Sequence, residues 1–303
     1  MTSNLSIGFI GYGEASYNIS KGLHETSKPL IYAFDIMWPK QDTNNIIGNR
    51  AKECNVSLVP TMGELIEKAD IILCATSAKS ALSIAKLASE YLKPGKIYAD
   101  INSASPMVKK QIDTVVSGTG ADFVDCGVMD IIPPHRQKVP IAVSGSGARK
   151  FADFANSIGM NVTFINETAG SASTLKMLRS VFMKGLTSLL LEMLVPASKI
   201  GVEDKIMEYI SKTFSGSTLE QLANLLINRT AVGASRRISE MKDVAATLKS
   251  LKVESFATEA TIKRLEWVES LQLKDYFQGS VPKDYHEVLY ACLKMDKSDI
   301  GKK

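Results

Sequence analysis

The sequence predicts an α/β domain built on a mainly parallel sheet, followed by an all-α domain. Three observations carry this. Short apolar runs alternate with helical patterns up to about residue 165. A glycine-rich turn separates the first apolar run from the first helical pattern. From Ala172 onward proline becomes rare and apolar residues recur every three to four positions. A chain of 303 residues is long enough for two domains. The expected division is 1–165 and 166–303.

The elements follow in order. Residues 5–10 form an apolar run with β-branched content, and 14–24 reads as a helix. Residues 30–34 read as a second strand ending at Asp35. A helix at 64–68 leads into the buried-type strand 70–74. The helix at 80–91 is stopped by Pro94 and Gly95, and 97–99 is the next strand. Pro106 opens a helix to 116, with Ser105 placed to cap it. Two more strands are expected at 123–128 and 139–143. Strands alternating with helices argue for a parallel sheet covered on both faces. In the second half, helices are expected at 171–194, 203–212, 218–230, 234–250 and 255–272. The charged tail from Lys294 reads as loose.

Composition narrows the function classes. Hydrophobic residues make up 45% and charged residues 22%, as in ordinary globular proteins. The formal charge, 36 − 32 = +4, is too small over this length to argue for nucleic acid or a membrane surface as partner. No uninterrupted apolar run of about 18 residues occurs, so a membrane span is not expected. The cysteines, at 54, 74, 126 and 292, show no metal or disulfide spacing. Free thiols in a reducing cytoplasm fit them, and no targeting segment is expected before the first strand. Three histidines, at 24, 135 and 286, form no metal-binding pair, and no metal is expected.

The strongest chemical signal is the turn Ile7-Gly8-Phe9-Ile10-Gly11-Tyr12-Gly13-Glu14-Ala15-Ser16. It follows a strand and opens a helix, as a dinucleotide fingerprint must. Gly11 makes the tight turn, and Gly13 lets the backbone approach a pyrophosphate at the helix N-terminus. Ser16 stands where a third glycine or alanine is usual. Asp35 lies 35 − 13 = 22 positions after Gly13, close to the spacing of a ribose-binding acid. A carboxylate there favours NAD over NADP, and Lys40 would soften that preference. A solvated strand-end acid is the plainer reading of Asp35. Gly8, Gly11, Gly13, Glu14, Ala15, Ser16 and Asp35 are the candidate cofactor residues.

Four segments occur in a telling order: this turn, then Asp100-Ile101-Asn102-Ser103-Ala104-Ser105-Pro106, then Gly170-Ser171-Ala172-Ser173-Thr174-Leu175-Lys176, then Met241-Lys242-Asp243. Together they resemble the β-hydroxyacid dehydrogenase superfamily, which includes 3-hydroxyisobutyrate and 6-phosphogluconate dehydrogenases. The resemblance spans about residues 1–260. It implies a Rossmann-type domain joined by one long helix to an all-α domain, usually dimeric or larger, with a homodimer expected here. It also implies Lys176 as the catalytic acid/base, Ser103 as a substrate-hydroxyl contact, and Thr76 and Lys242 near the cofactor. Independently, a lysine desolvated on an apolar helix has its pKa pushed toward working pH. Lys176, Ser180, Met183 and Thr187 share one face of the expected helix.

Departures from the pattern concern the substrate. Ser180 replaces the family's Asn four positions after the lysine, and Asn102 replaces a small hydroxyl residue. Met129-Asp130-Ile131 aligns with a Ser-Gly-Gly that cradles the substrate carboxylate, and Pro133-Pro134-His135-Arg136 follows. Arg179, His135 or Arg136 would supply an anion contact, although each also fits a solvated charge. The expected activity is hydride transfer between NAD (or NADP) and a small anionic hydroxy acid. An imine reductase and a non-catalytic NAD-binding sensor are the alternatives.

Overall fold

A computed structural model describes residues 5–38 and 45–296. Lys40 and the end of the charged tail lie outside them. The chain divides into two compact units, Met1–Ser180 and Val181–Lys303. The division comes later than residue 165 because the segment carrying Lys176 belongs to the first unit.

The first unit holds an eight-stranded sheet. Its strands are β1 (Ile7–Ile10), β2 (Ile31–Phe34), β3 (Ser57–Leu58), β4 (Ile71–Cys74), β5 (Ile97–Asp100), β6 (Asp122–Val128), β7 (Pro140–Ser144) and β8 (Asn161–Asn166). The order is β3-β2-β1-β4-β5-β6-β7-β8. Every neighbour pair is parallel except β6 with β7. Residues 129–139, between β6 and β7, are too few for a full crossover helix, so β7 returns antiparallel. Strands β1, β4 and β5 are buried along their whole length. That is why β1 and β4 read as unbroken apolar runs, while β5 is apolar up to Asp100.

Helices α1 (Glu14–Thr26), α2 (Ile46–Glu53), α3 (Met62–Lys68), α4 (Ala81–Ser89), α5 (Pro106–Ser117), a short α6 (Ile132–His135) and α7 (Ala148–Ser157) complete this unit. The core divides into two clusters. One joins Ile19 and Leu23 of α1 to Phe151 of α7. The other joins Leu65 of α3, Ala85 of α4 and Ile112 of α5. Ser105 caps α5 as expected, its hydroxyl accepting from the Val108 N–H at 3.3 Å. Because the strand order reverses between β1 and β4, the carboxyl ends of these strands open a crevice.

The second unit is helical. Helix α8 (Ser171–Lys199) spans the division, followed by α9 (Glu203–Phe214), α10 (Leu219–Ser250), α11 (Phe256–Ser270), α12 (Leu273–Tyr276) and α13 (Tyr285–Met295). The two helices expected over 218–250 are both present within α10, meeting at a kink where Gly233 leaves helical geometry (φ −127°, ψ 24°). Lys294 falls inside α13 rather than in a loose tail. A small core gathers Ala231, Leu271, Leu273, Val288 and Ala291.

Glu192, the acid that interrupts the apolar run of α8, has a structural task. Its carboxylate accepts from the N–H groups of Ala257 (2.7 Å) and Thr258 (2.8 Å) and from the Thr258 hydroxyl (2.6 Å). It thereby satisfies the orphan donors that start α11. Burial opposes its ionisation, but these donors hold the carboxyl below the usual range. Helix α8 is nonetheless long and apolar enough, by length and composition, to cross a membrane, although no uninterrupted apolar run of that length exists.

Candidate active site

At the carboxyl end of β1 the chain turns sharply. Gly11 has φ +86°, and a Cβ there would lie 2.5 Å from the Ala75 carbonyl oxygen. Only glycine fits this close approach. The Gly11 N–H bonds the Phe34 carbonyl at 2.8 Å. Ser16, the unusual third residue of the fingerprint, is buried, and its hydroxyl bonds the Gly11 carbonyl at 2.6 Å. It ties the turn to α1, where a glycine would leave that carbonyl to other donors.

Gly13 precedes α1, and no side chain caps the helix. A Cβ at Gly13 would meet nothing within 4 Å. The backbone therefore faces open space at a helix N-terminus, the setting a pyrophosphate requires. Two cavities of about 300 Å³ each meet at Gly13 and Asp35. Asp35 accepts from the Tyr12 N–H and the Met37 N–H, both at 2.8 Å, so its carboxylate is fixed in place. Arg50, which sequence reasoning missed, lines the same wall as Asp35, Met37 and Trp38. These residues fit a dinucleotide.

The cofactor role expected of Gly8 is corrected. Gly8 lies inside β1, where a Cβ would come 2.7 Å from Ala69 Cβ. Its smallness serves the packing of α3 on the sheet.

Beside these cavities lies a cleft of about 470 Å³. Its lining includes Glu14, Ala15, Thr76, Asn102, Ser103, Asp130 and Lys176. The Lys176 ammonium donates to the Ser103 hydroxyl at 2.8 Å. Burial, and then the positive charge of Lys109, lower the Lys176 pKa below that of ordinary lysine, while Asp125 works the other way. The Asn102 side-chain oxygen accepts from the Thr76 N–H at 2.8 Å, and its amide donates to Asp100. Asn102 thus joins the loops after β4 and β5 at the crevice.

His135 and Arg136, expected to contact a substrate anion, lie outside the cleft lining. The Arg136 guanidinium pairs with Glu25 of α1. His135 Nε2 sits 3.4 Å from Asp130 Oδ2. Gln137 is buried, and its side chain lies where a Cβ on Gly22 would go. This anchors the segment to α1. Ile131, Ile132 and Pro133 face the cleft instead. Arg179 is exposed on α8, and neither it nor Ser180 lines the cleft. Lys242 belongs to the second unit, 3.9 Å from Glu266.

Sequence reasoning also missed a buried ion cluster. Lys109, Asp100 and Asp125 are fully buried. Lys109 Nζ lies 3.1 Å from Asp100 Oδ2 and 3.3 Å from Asp125 Oδ1. The signal was present: on α5 the inward stripe is Lys109, Ile112 and Val116, with lysine at an apolar position.

Comparison with known proteins agrees with this geometry. Residues 6–130 match the NAD binding domain of 6-phosphogluconate dehydrogenase, and residues 197–268 match a domain of unknown function (DUF1932). A conserved hypothetical protein from Sinorhizobium meliloti 1021 is 29% identical, covers 96% of each chain and superposes with a TM-score of 0.63. A conserved protein described as structurally similar to 3-hydroxyacid dehydrogenases is 26% identical, over 91% of this chain and all of that one, with a TM-score of 0.61. An imine reductase variant from Myxococcus stipitatus, solved with NAD+, shares the fold at 15% identity, with a TM-score of 0.71 over 95% of this chain and 99% of that one. The chain thus carries an NAD(P)-binding Rossmann-type domain followed by a helical domain, and in this arrangement it is similar to 3-hydroxyacid dehydrogenase-like proteins.

Proposed function

We propose that the protein transfers hydride between NAD and the hydroxyl-bearing carbon of a small hydroxy acid, with Lys176 as general acid/base. The observation that carries this reading is the contact of Lys176 with Ser103 in the cleft beside the dinucleotide turn. The nicotinamide, when bound, supplies the hydride chemistry. Lys176 takes the hydroxyl proton during oxidation and returns it during reduction. Ser103 holds the substrate oxygen within reach of the amine. Thr76, fixed by Asn102, forms the wall between the cleft and the adjoining cavity, and lines both.

Charge limits the substrate. Glu14 and Asp130 line the cleft, and among the described residues Lys176 is its one cationic side chain. A substrate with several negative charges would be repelled. Asp35 supports a preference for NAD, since a 2′-phosphate would approach a fixed carboxylate; Arg50 on the same wall opposes it. A panel of hydroxy acids assayed by NADH absorbance tests both points. Monocarboxylic hydroxy acids are expected to outpace phosphorylated ones, with NAD+ preferred over NADP+. Reduction of cyclic imines without oxidation of any alcohol would overturn the reading in favour of an imine reductase.

We further propose that the chain works as a homodimer through its second unit. On α8, Val181, Phe182, Leu189 and Leu191 are exposed. Helix α9 has no buried residue, yet exposes Met207, Tyr209 and Phe214. Such a surface needs a partner. The ion pairs of Glu208 with Lys205 and Lys212 on α9 favour a second protein copy over lipid. Sedimentation is expected to give twice the 33.0 kDa chain mass. A monomer at all concentrations would contradict this.

A further inference from the structure

We propose that buried Lys109, held between Asp100 and Asp125, is a positioning residue that locks the two segments meeting at the Lys176–Ser103 contact and places a fixed charge set behind the Lys176 amine. The proposal rests on the reading of Lys176 as proton carrier.

The geometry assigns each partner a task. Lys109 Nζ donates to the Asp100 carbonyl at 2.6 Å. It also lies within ion-pair distance of both carboxylates. Asp100 Oδ1 accepts from the backbone N–H of Asn102 at 3.1 Å and from its side-chain amide. This fixes the Asn102 amide so that its oxygen meets Thr76. The loop leading to Ser103 is therefore built on Asp100.

Asp125 does the same for α8. Its Oδ2 accepts from the Ser173 N–H at 3.0 Å, and its Oδ1 from the Ser173 hydroxyl. The neighbouring Ala172 N–H donates to Ser144 Oγ at 3.0 Å, and that hydroxyl donates to Asp125 Oδ2 at 3.3 Å. A carboxylate thus caps the helix start three residues before Lys176, where the helix dipole favours it. Lys109 bridges the two carboxylates, so the loop after β5 and the start of α8 share one buried anchor. Neutral side chains would serve packing alone. Two acids and one base, fully desolvated, are an expensive choice for that purpose.

The charges bear on the amine. The charges acting on Lys176 from behind are Lys109 on α5 and Asp125 on β6; Asp100 and the Cys126 thiol face Lys109 in turn, and Glu14 and Asp130 share the cleft wall with Lys176. Burial works against the Lys109 charge, but Asp100 and Asp125 outweigh it and keep the ammonium protonated. Lys109 and Asp125 thus act on Lys176 with opposite signs. This separates an electrostatic role from a merely structural one.

The test titrates Lys176 directly in the full-length chain without substrate. Side-chain-labelled lysine is followed by NMR against pH, and Lys176→Ala assigns the resonance. Lys109→Met removes a positive charge and is expected to raise the pH at which Lys176 titrates. Asp125→Asn keeps an acceptor for Ser173 but removes a negative charge, and is expected to lower it. A loosened site alone would admit water and move both variants upward, toward ordinary lysine. Shifts in the same direction, or none, would overturn the proposal. If Lys109→Met does not fold, Asp125→Asn decides alone: a downward shift supports the proposal, and an upward shift or none refutes it. Turnover of Lys176→Ala is a separate readout, so failure of the charge cluster and failure of Lys176 as proton carrier are distinguishable.

Discussion

Lys176→Ala is expected to cut turnover by about 10²–10⁴-fold, the usual contribution of a positioned proton carrier, while leaving the affinity for NAD unchanged. The two effects separate because Lys176 lies on the cleft, while Gly13 and Asp35 line the adjoining cavities. Steady-state rates with the best substrate of the hydroxy-acid panel, beside equilibrium NADH binding, check both. The pH dependence has a definite sign. Oxidation needs the free amine, and burial with the Lys109 charge lowers the Lys176 pKa. Oxidation therefore rises as pH climbs through that lowered pKa. Reduction needs the ammonium, and falls through the same region.

The second large effect concerns the glycine turn, where two neighbouring glycines are expected to fail differently. At Gly13 the backbone φ is −77°, and a Cβ meets open space. Gly13→Val should fold with near-normal stability but obstruct the approach of the cofactor. A loss of roughly 3 kcal/mol, about a hundredfold in Kd, is expected. Gly11→Ala meets both strain at φ +86° and overlap with the Ala75 carbonyl. Strain and overpacking each cost about 1–3 kcal/mol, so this variant should lose stability first. Calorimetry with and without NADH distinguishes them. If Gly13→Val binds NADH normally, the assignment of this turn to the pyrophosphate is wrong.

Much of this molecule is legible in its sequence because its central strands are buried on both faces. Strands β1 and β4 carry no polar residue to disguise them. The dinucleotide turn is equally plain, since glycine spacing and the distance to Asp35 are local facts. Strand β3 was hidden because it has only two residues. Strand β8 was hidden because asparagines begin and end it and it is only partly buried. The substrate side is harder to read for a different reason. Arg136 looks like an anion ligand until Glu25, 111 positions away, neutralises it. Lys109 looks like a surface lysine until the fold brings Asp100 and Asp125 around it. Charges declare themselves in sequence, but their partners come from distant segments.

The central claim is that the Lys176 amine carries the proton in hydride transfer at a CH–OH carbon. The most direct measurement is the rescue of Lys176→Ala by small primary amines during NAD+-linked oxidation of the best hydroxy acid. The expected result is a depressed rate that rises with the concentration of free-base methylamine. Turnover of Lys176→Ala at the wild-type rate without added amine would contradict it.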